Sequence, residues 1–237
     1  MSIWATADGY VIYKLLGIRA NVFLIVKDNF YLLVDTGFTG EWNVLKHKLD
    51  IILKDNRLSV VVLTHTHYDH TGNLANIKKI YNPLVMVSIH EGYSLIKGYS
   101  KIPKGAMDFT KFLTDNLEDL ANEHLAQFDK VMPNIEIERA YDFGKYGLNI
   151  KIISTPGHSI GSISLIVDNE IAICGDAISG LNGGEVFTPF SDDFHTTVKS
   201  WKKLLDTNCN LFLSGHGVPV NRKLFEEKYK EALLNLD

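Results

Sequence analysis

The feature that most constrains this chain is a cluster of metal-binding residue types directly after a short apolar run. Residues 58–63 read LSVVVL, a continuous apolar stretch typical of a β-strand that is covered on both faces. Residues 64–72 then read THTHYDHTG and contain three of the nine histidines and one carboxylate. Imidazole and carboxylate groups suit zinc, and also iron or manganese. The segment therefore predicts a metal site at the end of a buried strand, with a polar surface loop as the alternative.

The spacing within this segment indicates how its side chains are divided. His65 and His67 are two positions apart, so in an extended segment their side chains lie on the same side. Asp69 and His70 follow at a point where a helix can begin, and successive side chains of a helix point in different directions. The second pair can therefore serve a second metal ion.

Alternating strand-like and helical patterns place this segment in an α/β domain. A helix is predicted over 41–54, because Trp42, Leu45, Leu49 and Ile52 fall on one face. A strand, a helix and then a buried strand is an order typical of layered α/β proteins. Other strands are predicted at 10–16, 22–26, 30–34, 84–89, 135–137, 150–153, 163–167, 170–174 and 211–213. Other helices are predicted at 73–80, 196–205 and after Val220, and residues 92–133 have a helical pattern.

The composition excludes several classes of protein. With 237 residues, 46% hydrophobic and 22% charged, the chain is neither disordered nor of low complexity. The lack of a tandem repeat or of a linker rich in Pro, Gly or Ser predicts a single domain over 1–237. A net charge of -4 argues against a nucleic-acid partner. Two cysteines, no apolar run near 18 residues and no signal-peptide pattern predict a cytoplasmic protein without a membrane partner.

Five short motifs, taken in order, resemble those of the metallo-β-lactamase-fold hydrolases. The histidine cluster resembles the H-x-H-x-D-H signature of that family, and Asp35 in the sequence VDTG resembles its early aspartate at a strand end. The sequences TPGH at 155–158, GD at 175–176 and GHG at 215–217 resemble its three later motifs. The resemblance covers residues 35–217 and implies an α/β fold, a four-layer αβ/βα sandwich. The 88 positions from His70 to His158 are enough for a helical insertion, which is predicted over 93–132.

The resemblance also implies a dinuclear metal centre with seven ligands. The ligands implied for one ion are His65, His67 and His158. The ligands implied for the other ion are Asp69, His70 and His216, and Asp176 is implied to bridge the two ions. Asp35 is implied to lie behind the ligands and to accept a hydrogen bond from a metal-binding imidazole. Two divalent ions are expected, with zinc as the default and iron or manganese as alternatives.

A centre of this kind predicts a hydrolase that acts on a small ester, lactone or thioester. We expect a metal-bridging hydroxide to attack the substrate, with Asp69 as the catalytic residue that orients it and relays a proton. The carboxylate of Asp176 argues against true β-lactamases, which lack it. Residues 177–180 read AISG, without the tyrosine expected of quorum-quenching lactonases or the cysteine- and arginine-containing stretch of glyoxalase II-like thioesterases. The alternatives are a phosphodiesterase or nuclease, and a non-catalytic metal-binding or sensing protein.

Two further histidines and one segment are candidates for contacts with a small-molecule substrate. His90 is predicted at a strand end and His195 at the start of a helix; an ordinary structural role is the alternative for each. Residues 93–132 carry several aromatic and methionine side chains. These side chains either bury one face of their own helices or form an apolar lid or a homodimer contact.

Overall fold

Two β-sheets organise the part of the chain that the computed structural model describes, residues 1–106, 110–112, 114, 126–181, 183 and 186–234. Each sheet belongs to one of two compact units. The first unit contains Met1–Lys101 and Glu123–Glu138, and the second contains Ile102–Asn122 and Arg139–Asp237. The prediction of mixed α/β structure is confirmed, whereas the single domain stays a prediction.

The first unit is built on a seven-stranded sheet in the order β1-β2-β3-β4-β5-β6-β7. The strands are Ile3–Ala5, Val11–Leu16, Val22–Lys27, Phe30–Val34, Val60–Val62, Leu84–Ser88 and Ile135–Ile137. Strands β1 to β4 are antiparallel neighbours, and β4 to β7 run parallel. The carboxyl ends of β4, β5 and β6 therefore lie at the same end of the sheet.

The register places one hairpin turn at that same end. Phe23 on β3 pairs with Val34 on β4, and Val34 pairs with Val62 on β5. Leu16, the last residue of β2, pairs with Val22, the first residue of β3. The β2–β3 turn, residues 17–21, is therefore at the end of the sheet where β4 and β5 finish.

Four helices of the first unit are described, and their apolar positions form its core. They are α1 (Trp42–Leu53), α2 (Tyr68–Thr71), α3 (Leu74–Tyr81) and α4 (Ile89–Lys97). Leu45, Leu49 and Leu53 of α1 recur at every fourth position and are buried in one cluster with Leu33 and Val61 of the sheet. The helix predicted over 41–54 is confirmed within one residue at each end.

The second unit contains a six-stranded sheet in the order β13-β12-β11-β10-β9-β8. In chain order from β8 to β13 its strands are Ala140–Asp142, Ile150–Ser154, Ile163–Val167, Ile171–Gly175, Leu211–Ser214 and Val220–Asn221. Only β11 and β12 of this sheet are parallel neighbours. Helices α5 (Phe194–Leu205) and α6 (Arg222–Leu234) contribute Trp201 and Phe225 to its core. Within the described ranges, no helix is both long and apolar enough to span a membrane.

The structure differs from the sequence-based expectation around His90 and in the segment that follows. Strand β6 ends at Ser88, so the prediction that His90 ends a strand is wrong: His90 lies in the first turn of α4, where its backbone N–H donates to Ser88 Oγ at 3.4 Å. Helix α4 ends before Gly98, and residues 98–104 are not helical. Much of the predicted insertion over 93–132 lies outside the described residues, so its role as a lid or dimer contact stays a prediction.

The guanidinium of Arg222 fixes the segment between α5 and β12, and its loss should destabilise the second unit. It donates to the backbone carbonyls of Leu205, Thr207 and Cys209. We expect Arg222→Met to lower the free energy of unfolding by about 2–3 kcal/mol, because these carbonyls lose a charged donor. Arg222→Lys should recover only part of the lost free energy of unfolding, because an ammonium group lacks the planar set of N–H donors of a guanidinium.

Urea unfolding followed by circular dichroism measures this loss. Lys223→Met is the matched control, because Lys223 is exposed and follows Arg222 directly; it should change the free energy of unfolding by less than about 0.5 kcal/mol. Equal midpoints for Arg222→Met and the wild type would show that these hydrogen bonds contribute nothing to stability.

Candidate metal centre

Asp35 connects the end of strand β4 to the histidine-rich segment after strand β5. Its Oδ1 accepts a hydrogen bond from the Thr64 backbone N–H at 2.8 Å, and its Oδ2 accepts one from Thr64 Oγ1 at 2.8 Å. The same Oδ2 is 2.8 Å from His70 Nδ1. Asp35 is 2% exposed and has a φ of +61°, a conformation that aspartate and asparagine adopt more readily than most residues. The buried carboxylate thus receives three hydrogen bonds from the segment that carries the predicted ligands.

These hydrogen bonds determine which nitrogen of two neutral imidazoles carries the proton. A carboxylate only accepts, so His70 Nδ1 is the donor to Asp35. Thr64 Oγ1 gives its single proton to Asp35 and therefore accepts from His65 Nδ1 at 3.1 Å. In both rings Nε2 is left as the lone-pair nitrogen, which is the atom that a metal ion requires.

The four predicted ligands of the first unit lie close together. The ligand atoms of His65 are within 4.8 Å of those of His67 and of His70, and His70 Nε2 is 3.9 Å from Asp69 Oδ2. Helix α2 begins at Tyr68, so Asp69 and His70 lie in a helical turn where the spacing predicts one. His65 and His70 are fully buried, and Asp69 is half-buried. The side chains thus form a mostly buried group of nitrogen and oxygen donors.

In the second unit, the parallel pair β11 and β12 brings together two other predicted ligands. Asp176 directly follows β11 and His216 follows β12, and the carboxyl ends of parallel neighbours meet at one end of a sheet. Asp176 Oδ2 is 3.1 Å from His216 Nε2 and 3.5 Å from His158 Nε2. Two imidazole nitrogens therefore face a single carboxylate oxygen.

The tautomer of His158 follows from its contact with a backbone carbonyl. Nδ1 of His158 is 2.9 Å from the Phe190 carbonyl oxygen, which only accepts, so Nδ1 carries the proton and Nε2 the lone pair. His158 Nε2 and Asp176 Oδ2 can then both donate a lone pair to one cation. Two ligands at about 2.0–2.1 Å from zinc in tetrahedral geometry are about 3.3 Å apart. The separations of 3.1, 3.5 and 3.9 Å in the two units fit ligands that share a divalent ion.

The loop that carries His158 is fixed by the start of α5. The backbone N–H groups of Asp193 and Asp192 donate to the carbonyls of Gly157 and His158 at 2.9 and 3.2 Å. Gly157 has a φ of +136°, and a Cβ at this position would lie 2.3 Å from Thr197 N. Glycine is therefore required where the loop passes this close to the helix.

A family model described as the metallo-beta-lactamase superfamily matches residues 17–216. The chain belongs to the metallo-β-lactamase superfamily. It is 28% identical over 214 residues to the probable metallo-hydrolase MJ0888 of Methanocaldococcus jannaschii, a match that covers 88% of this chain and 93% of the relative. It is 28% identical over 209 residues to hydroxyacylglutathione hydrolase GloC of Haemophilus influenzae, with 86% of each covered.

Solved structures of the metallo-β-lactamase superfamily share the fold. The crystal structure of ST1585 from Sulfolobus tokodaii matches with a TM-score of 0.66 and 21% identity, over 94% of this chain and 86% of that one. The prediction of the metallo-β-lactamase type of fold is confirmed. The motifs that carried the resemblance lie almost entirely within the matched residues.

One buried carboxylate that is not among the superfamily motifs also contacts the histidine-rich segment. Glu91, which is 6% exposed, accepts a hydrogen bond from Thr66 Oγ1, between His65 and His67 in the chain. Glu91 lies in the first turn of α4, where the helix dipole favours a negative charge. Its position three residues after Ser88 is the S-x-x-E pattern of a capping box, a signal that sequence reasoning missed.

His90 and His195, the two candidates for substrate contact, are both exposed and lie in the first turns of α4 and α5. The start of α5 is capped by Asp193, whose Oδ1 accepts from Thr196 N at 3.0 Å. Hydrogen bonds from the Thr196 hydroxyl and backbone lower the pKa of Asp193. The substrate role of the two histidines stays a prediction.

Proposed function

We propose that this superfamily member is a metal-dependent hydrolase of a small ester, lactone or thioester. The observation that carries the proposal is that Nδ1 of three imidazoles lies within hydrogen-bonding distance of an oxygen acceptor. Asp35, Thr64 and the Phe190 carbonyl receive the Nδ1 protons of His70, His65 and His158, so each ring has its lone pair on Nε2. A surface loop with incidental histidines has no need for such support.

The proposed ligand assignment follows the superfamily motifs. One divalent ion would be held by His65, His67 and His158 and the other by Asp69, His70 and His216, with Asp176 as the carboxylate that would serve both. Zinc is proposed because imidazole and carboxylate suit it. When bound, divalent ions in a site of this type polarise a substrate carbonyl and acidify a water molecule.

The residues of the chain then orient the reactants and move a proton. Asp69 is half-buried in the first turn of α2, with Oδ2 3.9 Å from His70 Nε2. Its carboxylate orients the attacking water and takes up a proton. Asp35 and Thr64 hold the rings of His70 and His65 in place throughout the reaction. A thioester belongs among the proposed substrates because one relative is named as a hydroxyacylglutathione hydrolase. A small-molecule substrate and a cytoplasmic location are part of this proposal.

Metal analysis combined with a substrate panel tests the proposed function. We expect the purified protein to bind two equivalents of zinc and to hydrolyse members of a panel of p-nitrophenyl esters, lactones and S-lactoylglutathione. Removal of the metal with a chelator should abolish turnover, and added zinc should restore it. Cleavage of bis-p-nitrophenyl phosphate without ester hydrolysis would replace the proposal with a phosphodiesterase. Bound metal with no turnover on the whole panel would replace it with a metal-binding protein.

A further inference from the structure

The exposed cation on the β2–β3 turn lies at the end of the first sheet from which the predicted ligands project. The register places residues 17–21 at the end where β4 leads into Asp35 and β5 leads towards His65. Arg19, on this turn, is exposed. Its guanidinium carbon is 4.1 Å from the centroid of the Phe38 ring, and Phe38 follows Asp35 by three positions. The backbone register and a side-chain contact thus agree on where Arg19 lies.

Tyr68 links Arg19 to the ligand-bearing segment. It occupies the position between His67 and Asp69, and its ring packs edge-to-face against Phe38, with centroids 6.1 Å apart at 84°. Tyr68 is half-buried, so the cluster of Arg19, Phe38 and Tyr68 leads from the exposed guanidinium to the ligand-bearing segment.

This arrangement orients a guanidinium before any ligand binds. The Phe38 ring restricts the plane of the group, and the Tyr68 ring in turn packs against Phe38. A guanidinium has five N–H donors in a rigid fork that matches the two oxygens of a carboxylate. An oriented arginine loses less conformational freedom on binding than an exposed lysine does. The cluster of Arg19, Phe38 and Tyr68 is therefore suited to recognise a planar anion.

We propose that Arg19 is a specificity-determining residue that binds a carboxylate on the substrate, so that the preferred substrate is an ester or thioester with a free carboxylate group. This inference rests on the proposed hydrolase function and narrows its substrate class. In this proposal the guanidinium binds a part of the substrate that does not react, so Arg19 contributes to substrate binding. The residues near Asp69 act on the bond that is cleaved.

Matched substrates test this inference on the zinc-loaded protein. The p-nitrophenyl monoester of glutaric acid carries a free carboxylate, and p-nitrophenyl pentanoate is a neutral ester of the same acyl chain length. We expect Arg19→Ala to raise KM for the glutarate ester about 10- to 100-fold, because a charged hydrogen bond is lost. Its kinetics on the pentanoate ester should stay within about twofold of the wild type. For the glutarate ester, the KM of Arg19→Lys should lie between those of the wild type and Arg19→Ala. Lysine keeps the positive charge but lacks the planar set of N–H donors.

Lys27→Gln is the control for the loss of one positive charge. Lys27 also lies over an aromatic ring, that of Tyr10, but at the opposite end of β3 from the β2–β3 turn. The Lys27→Gln variant should leave unchanged the ratio of KM for the pentanoate ester to KM for the glutarate ester. If Arg19→Ala also leaves that ratio unchanged while the wild type hydrolyses both esters, the inference is wrong and the hydrolase function stands.

A binding measurement keeps the test decisive if no ester is hydrolysed and the proposed function itself fails. The 15N resonance of Arg19 Nε in the zinc-loaded protein is followed as glutarate or inorganic phosphate is added. We expect glutarate to shift this resonance in a saturable way, and to do so in the Lys27→Gln variant as well. No shift with glutarate, or a shift with phosphate alone, overturns the carboxylate site.

Discussion

Replacing His67 or His158 with alanine should remove the same metal ion under the proposed ligand assignment. The ligand assignment gives both side chains to one ion, so each variant should bind one equivalent of zinc instead of two. Loss of one ion also removes its polarising effect, and we expect kcat/KM to fall by about 1,000-fold in each single variant. The double variant should be no worse than either single one, because the shared ion is already gone.

Metal content by mass spectrometry and turnover of the best substrate in the panel measure these effects. His47→Ala is the matched control, since His47 is an exposed histidine on α1 outside every motif; it should keep two equivalents and full turnover. Additive losses in the double variant, with a second equivalent missing, would show that His67 and His158 serve different ions.

Asp35→Asn should weaken metal binding without removing any ligand. The amide keeps an oxygen for the Thr64 backbone N–H, but it presents N–H groups where His70 Nδ1 and Thr64 Oγ1 now donate. Nδ1 of His70 must then accept, which moves the ring proton to Nε2 and removes the lone pair that binds metal. We expect the dissociation constant for zinc to rise about 10- to 100-fold, as for other residues that support metal ligands.

Competition with a chromophoric chelator measures this affinity, and 15N spectra of the imidazoles report which nitrogen of His70 is protonated. Asp28→Asn is a suitable control, because Asp28 also has a positive φ, +51°, but is exposed at the β3–β4 turn. It should leave zinc affinity unchanged. A wild-type affinity in Asp35→Asn, with the proton still on Nδ1, would mean that Asp35 does not control the tautomer.

The order of the motifs was sufficient to predict the fold type and the strands that carry the site. Asp35, His65, Asp176 and His216 all follow strands whose ends were visible as the ends of apolar runs, and β4–β5 and β11–β12 are parallel neighbours. Such neighbours bring their carboxyl ends together, so a linear pattern has a direct spatial consequence. The same reasoning missed β1, β8 and β13, whose sequences IWA, AYD and VN do not alternate between apolar and polar residues as the IEI of β7 does.

Contacts that depend on register were beyond sequence reasoning. The hydrogen bond from Thr66 to Glu91 joins residues that follow different strands, and the contact of Arg19 with Phe38 requires knowing that the β2–β3 turn lies at the end of β4. His90 was misplaced for a different reason. The apolar run of β6 continues into Ile89, which masks the helix start that the pattern of Ser88 and Glu91 indicates.

The hydrogen bonds of Thr64 have a consequence for how the protein would acquire its metals. Asp35 supports His70 directly and His65 through the Thr64 hydroxyl, and the proposed assignment gives these two histidines to different ions. A substitution at Asp35 or Thr64 should therefore weaken the binding of both ions rather than of one.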